Sequence, residues 1–380
     1  MSFSELGLSA PLLAAVAKNE YAEPYPIQIA AIPAILAGKD VLGIAQTGSG
    51  KTAGFVLPIL QQFQKKKVAK NRFIKALILV PTRELAVQVG AVFAAFSLDL
   101  PRPVKTLAVF GGVSINPQMM HLYGVEILVA TPGRLLDLLD SKAMDLSEVD
   151  ILVLDEADKM LNLGFKEEMD RILHLLPLKR QNLLFSATLG KDIDTLKEII
   201  LHDPVKIEIE QEVENLDLIK LSGYRVSEDR KGPLLRYLIK ENDWKQVLVF
   251  TSSIHKADSI VHKLKTNGIK ALALHSQKSQ GARTEALRYL KSGEINVLVA
   301  TDLASRGIDI PSLPTVINYE LPRSPKDFIH RIGRTGRAGV PGAAISFVSA
   351  DDELHFRVIQ KKTGRWVDMI ESEGLNLKGY

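Results

Sequence analysis

Nine short apolar runs, rich in β-branched residues, set the strongest limit on what this chain can become. They fall at residues 41–45, 76–80, 127–130, 151–154 and 183–185, and again at 247–250, 297–300, 315–318 and 344–348. None alternates apolar with polar residues. The stretches between them, such as 135–139 and 257–264, carry helical periodicity instead. A strand without alternation is buried on both faces, and strands separated by helices pair in parallel. The fold class is therefore α/β, assembled from strand–helix–strand units.

At 380 residues, and roughly 100–200 residues per domain, two domains are expected. The alternation breaks at 209–217, which holds Glu210, Glu212, Glu214 and Asp217 and no base. This gives a first domain at 1–208, an acidic linker at 209–217, a second domain at 218–360 and a short, indistinct tail at 361–380. One echo links the halves. Ile127-Leu128-Val129-Ala130-Thr131 reappears as Val297-Leu298-Val299-Ala300-Thr301, each a strand pattern ending in Thr.

Composition matters mainly for what it excludes. With 46% hydrophobic and 24% charged residues the chain is neither disordered nor fibrous. The absence of cysteine removes disulfides, thiolate zinc sites, iron–sulfur clusters and a thiol nucleophile. No apolar run nears the ~18 residues of a membrane span, and the N-terminus has no export signal. A soluble, cytoplasmic protein is expected. The net charge of +4 conceals an asymmetry. Residues 1–208 hold 22 Lys and Arg against 23 Asp and Glu, whereas 218–380 hold 26 against 17. A basic domain beside a neutral one hints at a phosphate-rich ligand, although a merely solvated basic surface gives the same count.

Three local patterns carry chemistry. Ala45-Gln46-Thr47-Gly48-Ser49-Gly50-Lys51-Thr52 follows the first strand and ends as a phosphate-binding loop ends, with Ala45 where the general pattern has Gly. Glycines let backbone N–H groups converge on phosphate oxygens at a helix N-terminus. Lys51 would neutralise the β- and γ-phosphates, and the Thr52 hydroxyl would hold Mg²⁺. Asp155-Glu156-Ala157-Asp158 ends the run 151–154. Asp155 is the candidate carboxylate for Mg²⁺, directly or through water, and Glu156 the group that orients or deprotonates an attacking water. His330-Arg331-Ile332-Gly333-Arg334-Thr335-Gly336-Arg337 crowds three arginines into eight residues, which suits anions held by guanidinium forks. Ser186-Ala187-Thr188 follows another strand and reads, alone, as a helix cap.

Together these motifs, in this order, resemble the DEAD-box ATP-dependent RNA helicases of superfamily 2, over about residues 3–348. The wording of the motifs is similar to bacterial members, the RhlE-type subgroup. The resemblance implies two tandem RecA-like domains. It implies adenine recognition by Gln28 and stacking by Tyr21, with Phe3 as the isolated upstream aromatic. Glu20 and Tyr25 stand where that motif usually has Gly and Thr, Ser276 where a Gly is usual and Ser305 where an Ala is. In the first domain Pro81, Thr82, Arg83, Gly111, Gly112, Thr131, Pro132, Gly133 and Arg134 would contact the RNA backbone. Ser186 and Thr188 become couplers of hydrolysis to strand separation. In the second domain the resemblance assigns Thr251, Gln280, Arg283, Thr301, Arg306 and Gly307 to RNA and Asp309 to the ribose of ATP. Arg334 and Arg337 match the arginine fingers, while His330 and Arg331 would help join the domains across the nucleotide. The implied activity is RNA-stimulated ATP hydrolysis on domain closure, with local unwinding of short duplexes or remodelling of RNA–protein complexes by a monomeric core. An ATP-dependent RNA clamp that unwinds little, or a DNA-acting motor of the same superfamily, fits the same residues.

Overall fold

All nine apolar runs form strands in the computed structural model, which describes residues 1–380 apart from 47, 67–70, 189, 210–217, 303–312 and 337–339, with the backbone alone at 191 and 192. The chain divides into two compact units, Met1–Gln211 and Glu212–Tyr380. In the first, β1 (Val41–Ile44), β2 (Ala76–Leu79), β3 (Thr106–Val109), β4 (Ile127–Ala130), β5 (Ile151–Leu154), β6 (Gln181–Ser186) and β7 (Val205–Glu208) form one sheet in the order β3-β4-β2-β5-β6-β1-β7. Every pairing described in it is parallel.

The burial of these strands explains their composition. Ile151 and Val153 of β5 enter the core on one face, while Leu152 and Leu154 enter the core on the other. The same split separates Ile127 and Val129 from Leu128 and Ala130 in β4. A side chain fully buried in this way contributes about 1.5–3 kcal/mol, and no position on these strands can be polar without forfeiting it. Helices cover both faces, and several begin on a hydroxyl cap. Thr82 Oγ1 accepts from the Leu85 N–H at 3.3 Å, starting the helix Arg83–Ser97.

The second unit holds β8 (Ile219–Arg225), β9 (Val247–Thr251), β10 (Ala271–Leu274), β11 (Val297–Thr301), β12 (Thr315–Asn318), β13 (Gly342–Val348) and β14 (Asp368–Glu371). Their order is β10-β11-β9-β12-β13-β8-β14, the first sheet's order with seven added to every label. All pairings described are again parallel. The echo noticed in the sequence falls on β4 and β11, which are equivalent strands in the two sheets.

The expected tail at 361–380 needs correction. It contributes β14, which pairs with β8 from Ser222 to Arg225 and is the counterpart of β7. Beyond it, Leu375 and Leu377 pack on the core, and Arg236 Nη2 donates to the Tyr380 carbonyl at 2.7 Å. Ile209, the first residue of the expected linker, still donates its N–H to Ile44 O at 3.0 Å, and residues 210–217 lie outside the described part.

Candidate functional site

Because the strands of each sheet run in parallel, their C-terminal ends share one edge, where α/β proteins bind ligands. In the first unit that edge is divided. The loops after β1 and β5 carry the expected nucleotide motifs, the loop after β6 the expected coupling motif, and those after β2, β3 and β4 the expected RNA motifs.

The loop after β1 turns on two left-handed glycines, Gly48 at φ 92° and Gly50 at φ 84°. Gly50 is required twice over. A Cβ there would stand 2.6 Å from Gln28 Nε2 and 2.8 Å from Tyr25 Cδ2. Gln28 is fully buried; its Oε1 accepts from the Tyr25 N–H at 3.0 Å and its Nε2 donates to Gly50 O at 2.8 Å. The expected adenine reader is thus bonded to the phosphate loop itself. Ser49 Oγ donates to Gln46 O at 2.8 Å, and the Ala45 N–H donates to Ser186 O at 3.0 Å. Lys51 opens the helix Lys51–Gln64, buried, with Nζ donating to Ala45 O at 2.7 Å. Thr52 follows it, half-buried. Tyr21 sits edge-on between Phe96 (ring centroids 5.1 Å apart) and Phe3 (6.4 Å). Glu20 beside it adopts φ 60°, the left-handed conformation that the usual Gly would accept freely.

At the tip of β5 two carboxylates are buried side by side, Asp155 and Glu156. Burial raises the Asp155 carboxyl from 3.8 to about 6; Lys51 opposes this and Glu156 reinforces it. Its Oδ1 is buried without a hydrogen-bond partner. Glu156 is left-handed at φ 55° and accepts from Lys159 Nζ at 2.7 Å. No group of three or more His, Cys, Asp or Glu that could hold a metal exists among the described residues. Mg²⁺ takes one or two protein oxygens and completes its shell with phosphate and water. An unsatisfied buried carboxylate oxygen beside the phosphate loop fits that demand.

Asp158, which the sequence reading quoted without a role, joins this centre to β6. Its Oδ2 accepts from Thr188 Oγ1 at 3.1 Å and its Oδ1 from the Ala187 N–H at 3.4 Å, while Ser186 Oγ donates to Thr188 O at 2.8 Å. The cap reading of Ser186 and Thr188 does not hold. The helix Lys191–Ile200 starts at Gly190 with no side-chain cap.

On the other half, Pro81, Thr82 and Arg83 stand at the end of β2. Arg83 lies against the turn at Gly112 (φ 78°), where a Cβ would meet its Nη1 at 2.7 Å; Gly111 has open space around it. Thr131, Pro132 and Gly133 form the start of the helix Pro132–Asp140, with Gly133 equally open. Arg134 is buried. It donates from Nη2 to Val113 O at 2.8 Å and from Nε to Asp137 at 3.2 Å, so it braces the glycine turn.

In the second unit Thr251 ends β9 and Thr301 ends β11, directly paired. Both are buried. Gln280 and Arg283 lie one turn apart on the helix Gln280–Ser292; Arg283 is buried, and Gln280 is half-buried with Oε1 unpartnered. His330 is exposed and Arg334 buried. Arg331, expected to help join the domains across the nucleotide, is tied down within its own unit. Its guanidinium donates to Asp302 through Nε (2.6 Å) and Nη2 (2.7 Å), and through Nη1 to Asn318 Oδ1 (3.1 Å) and Glu320 O (2.7 Å), all within the second unit. A carboxylate on one side and two carbonyl oxygens on the other engage four of its five N–H groups. Asp302 and Glu320 are partners that no motif spacing announced. Thr47, Arg306, Gly307, Asp309 and Arg337 lie outside the described residues.

A phosphate loop, a strand-end acid pair and a duplicated parallel sheet define a nucleoside-triphosphate-binding protein of the tandem RecA-like class. The sequence matches the family models for the DEAD/DEAH box helicase over residues 25–196 and the helicase conserved C-terminal domain over residues 230–339. It is 41% identical to the ATP-dependent rRNA helicase RRP3 of Meyerozyma guilliermondii, over 94% of this chain and 74% of that protein. It is 39% identical to the ATP-dependent RNA helicase CshA of Listeria monocytogenes, over 97% of this chain and 70% of its relative. The structure is similar to S. cerevisiae Dbp5 bound to RNA and ADP BeF3, with a TM-score of 0.82 and 31% identity, covering 98% of this chain and 96% of the other. The chain belongs to the DEAD-box ATP-dependent RNA helicase family.

Proposed function

We propose that this chain is an RNA-stimulated ATPase that locally unwinds short RNA duplexes or remodels RNA–protein complexes. The observation that carries this reading is the divided edge of the first sheet. Its proposed nucleotide and coupling motifs follow β1, β5 and β6, and its proposed RNA motifs follow the neighbouring β2, β4 and β3. Lys51 releases Ala45 O and meets the β- and γ-phosphates, while Gln28 reads the adenine edge. Thr52 and Asp155 would hold Mg²⁺, which neutralises charge on the phosphate oxygens when bound. Glu156 orients the attacking water and takes its proton. Asp158 relays the state of this centre to Thr188. Arg334 supplies positive charge to the transferring phosphoryl group, making hydrolysis conditional on RNA. RNA is held by sugar–phosphate contacts, so binding is weakly sequence-selective and strongly salt-dependent. The proposed setting is a monomer in the cytoplasm, in keeping with a sequence free of cysteine.

Steady-state ATPase with and without single-stranded RNA, run beside unwinding of tailed and blunt RNA duplexes, tests this. Stimulation by RNA with strand release is expected. Equal stimulation by single-stranded DNA would overturn the RNA assignment, and stimulation without strand release would make the chain a clamp.

A further inference from the structure

The tip of β9 faces a carboxylate. Pairing of β12 with β9 sets Asn318 opposite Phe250 and carries Glu320 to the Thr251–Ser252 turn. One oxygen of Glu320, Oε2, accepts from Thr251 Oγ1 at 2.5 Å, from the Ser252 N–H at 2.7 Å and from Ser252 Oγ at 2.8 Å. Glu320 holds a position with a counterpart. β12 is to the second sheet what β5 is to the first, and β5 pairs Leu154 with Leu79 as β12 pairs Asn318 with Phe250. Two residues past those pairs stand Glu156 in one unit and Glu320 in the other.

The direction of these bonds is fixed by chemistry. An ionised carboxylate only accepts, so both hydroxyls and the amide point their protons inward. Burial alone would lift the Glu320 carboxyl, but the Ser252 N–H, the two hydroxyls and Lys256 (Nζ 3.8 Å from Oε1) together hold it below the usual carboxylate range. Ser252 is exposed. What its Oγ has left to offer a ligand is lone pairs. A phosphate oxygen is an acceptor and gains nothing from them, and it would also approach a negative charge. A ribose 2′-hydroxyl is a donor and fits.

We infer that Glu320 is a specificity-determining positioning residue, which turns the donors at the β9 tip inward so that Ser252 Oγ accepts from a ribose 2′-hydroxyl rather than donating to a phosphate. This rests on the proposed RNA-binding reading. It adds a means of telling RNA from DNA and names the residue that sets it. The main chain of the same residue accepts from Arg331, so the tip and the arginine cluster share one anchor.

The test is a 2′-deoxy scan. Binding of a short oligouridylate, all-ribose or with one 2′-deoxy substitution moved along it, is measured by anisotropy at fixed salt with an ATP analogue present. For the unaltered chain, one position should lose about 3- to 10-fold in affinity, the range of a single net hydrogen bond. Glu320→Ala removes the shared acceptor altogether and frees both hydroxyl protons to point outward, so the loss at that position should fall within about twofold. Glu320→Gln, whose carbonyl oxygen can take the place of Oε2, should keep most of it. Ser252→Ala removes the acceptor while leaving the carboxylate in place, and should abolish the positional loss even where Glu320→Ala folds poorly. An unchanged positional loss in Ser252→Ala or in folded Glu320→Ala, or a flat scan in the unaltered chain, overturns the inference and leaves RNA binding standing. Failure to bind the all-ribose strand at all overturns both.

Discussion

Glu20 gives the cleanest test of the backbone reasoning, because its side chain is exposed and only its conformation is at issue. It follows the helix Ala10–Lys18, donates its N–H to Ala17 O at 3.0 Å, and is left-handed at φ 60°. A residue with a Cβ costs about 1–2 kcal/mol in that conformation. Glu20→Gly removes this strain but adds about 0.5–1 kcal/mol of chain entropy to the unfolded state. The net expectation is a gain of roughly 0.5–1 kcal/mol. For a unit of this size each kcal/mol moves the melting point by about 2–4 °C, so the shift should be about 1–4 °C upward. Calorimetry of the full chain measures it, with the first unit's transition recognised as the one ATP moves. Glu20→Ala is the control, since it keeps the Cβ and removes the charge, and it should stay within about 0.5 kcal/mol of the unaltered chain. Tyr21 keeps its seat between Phe3 and Phe96, so KM for ATP should change less than about twofold in both. If Glu20→Gly proves no more stable than Glu20→Ala, the strain argument is wrong.

Three further outcomes follow from the site. Lys51→Ala should abolish ATP turnover with and without RNA, because the loop loses the buried ammonium now held by Ala45 O; retained turnover would rule out the phosphate-loop assignment. In metal-free, nucleotide-free protein Asp155 titrates near pH 6 when folded and near 3.8 when unfolded, so the charged form's penalty is full above about pH 6 and vanishes below about 4. Asp155→Asn should therefore be more stable by up to about 3 kcal/mol at pH 8, with the gap closing as pH falls, and urea titrations showing a pH-independent gap would refute it. Arg331→Lys keeps the charge but loses the fork on Asp302, and should cost about 1.5–3 kcal/mol in thermal unfolding; a neutral result would mean the fork contributes nothing.

What was legible in the sequence follows from burial. β4, β5 and β12 match their runs to the residue, since every position in each is buried, including the polar ends Thr315 and Asn318 of β12. The strands that went unread are β3, β7, β8, β10 and β14. Four are sheet edges and β8 lies next to one. An edge strand needs little apolar content. Val205–Glu208 buries only Ile207, and Asp368–Glu371 is largely exposed, so neither leaves a run to read. The site divides in the same way. Lys51, Asp155 and Glu156 stand out as candidates because phosphate chemistry demands particular residues at particular offsets. Asp158, Asp302 and Glu320 have partners distant in sequence, and only the strand order brings those partners together. Arg331 shows the converse. Its motif is visible in the sequence, but the bonds of its guanidinium to Asp302, Asn318 and Glu320 are not.

The duplicated strand order also allows the two equivalent strand–helix connections to be compared. In the first sheet, six residues separate β1 from its helix, and two of them are left-handed glycines. At the equivalent place in the second sheet, β8 reaches the helix Glu228–Glu241 through Val226 and Ser227 alone, and that helix opens with Glu228 and Asp229. Two residues are too few for a cradle of that kind, and the first turn of the helix carries Glu228, paired with Lys231 and Lys256, and Asp229, where a phosphate site would need positive charge. The two copies share an architecture but not a stoichiometry, and a calorimetric titration with ATP should saturate at one nucleotide per chain.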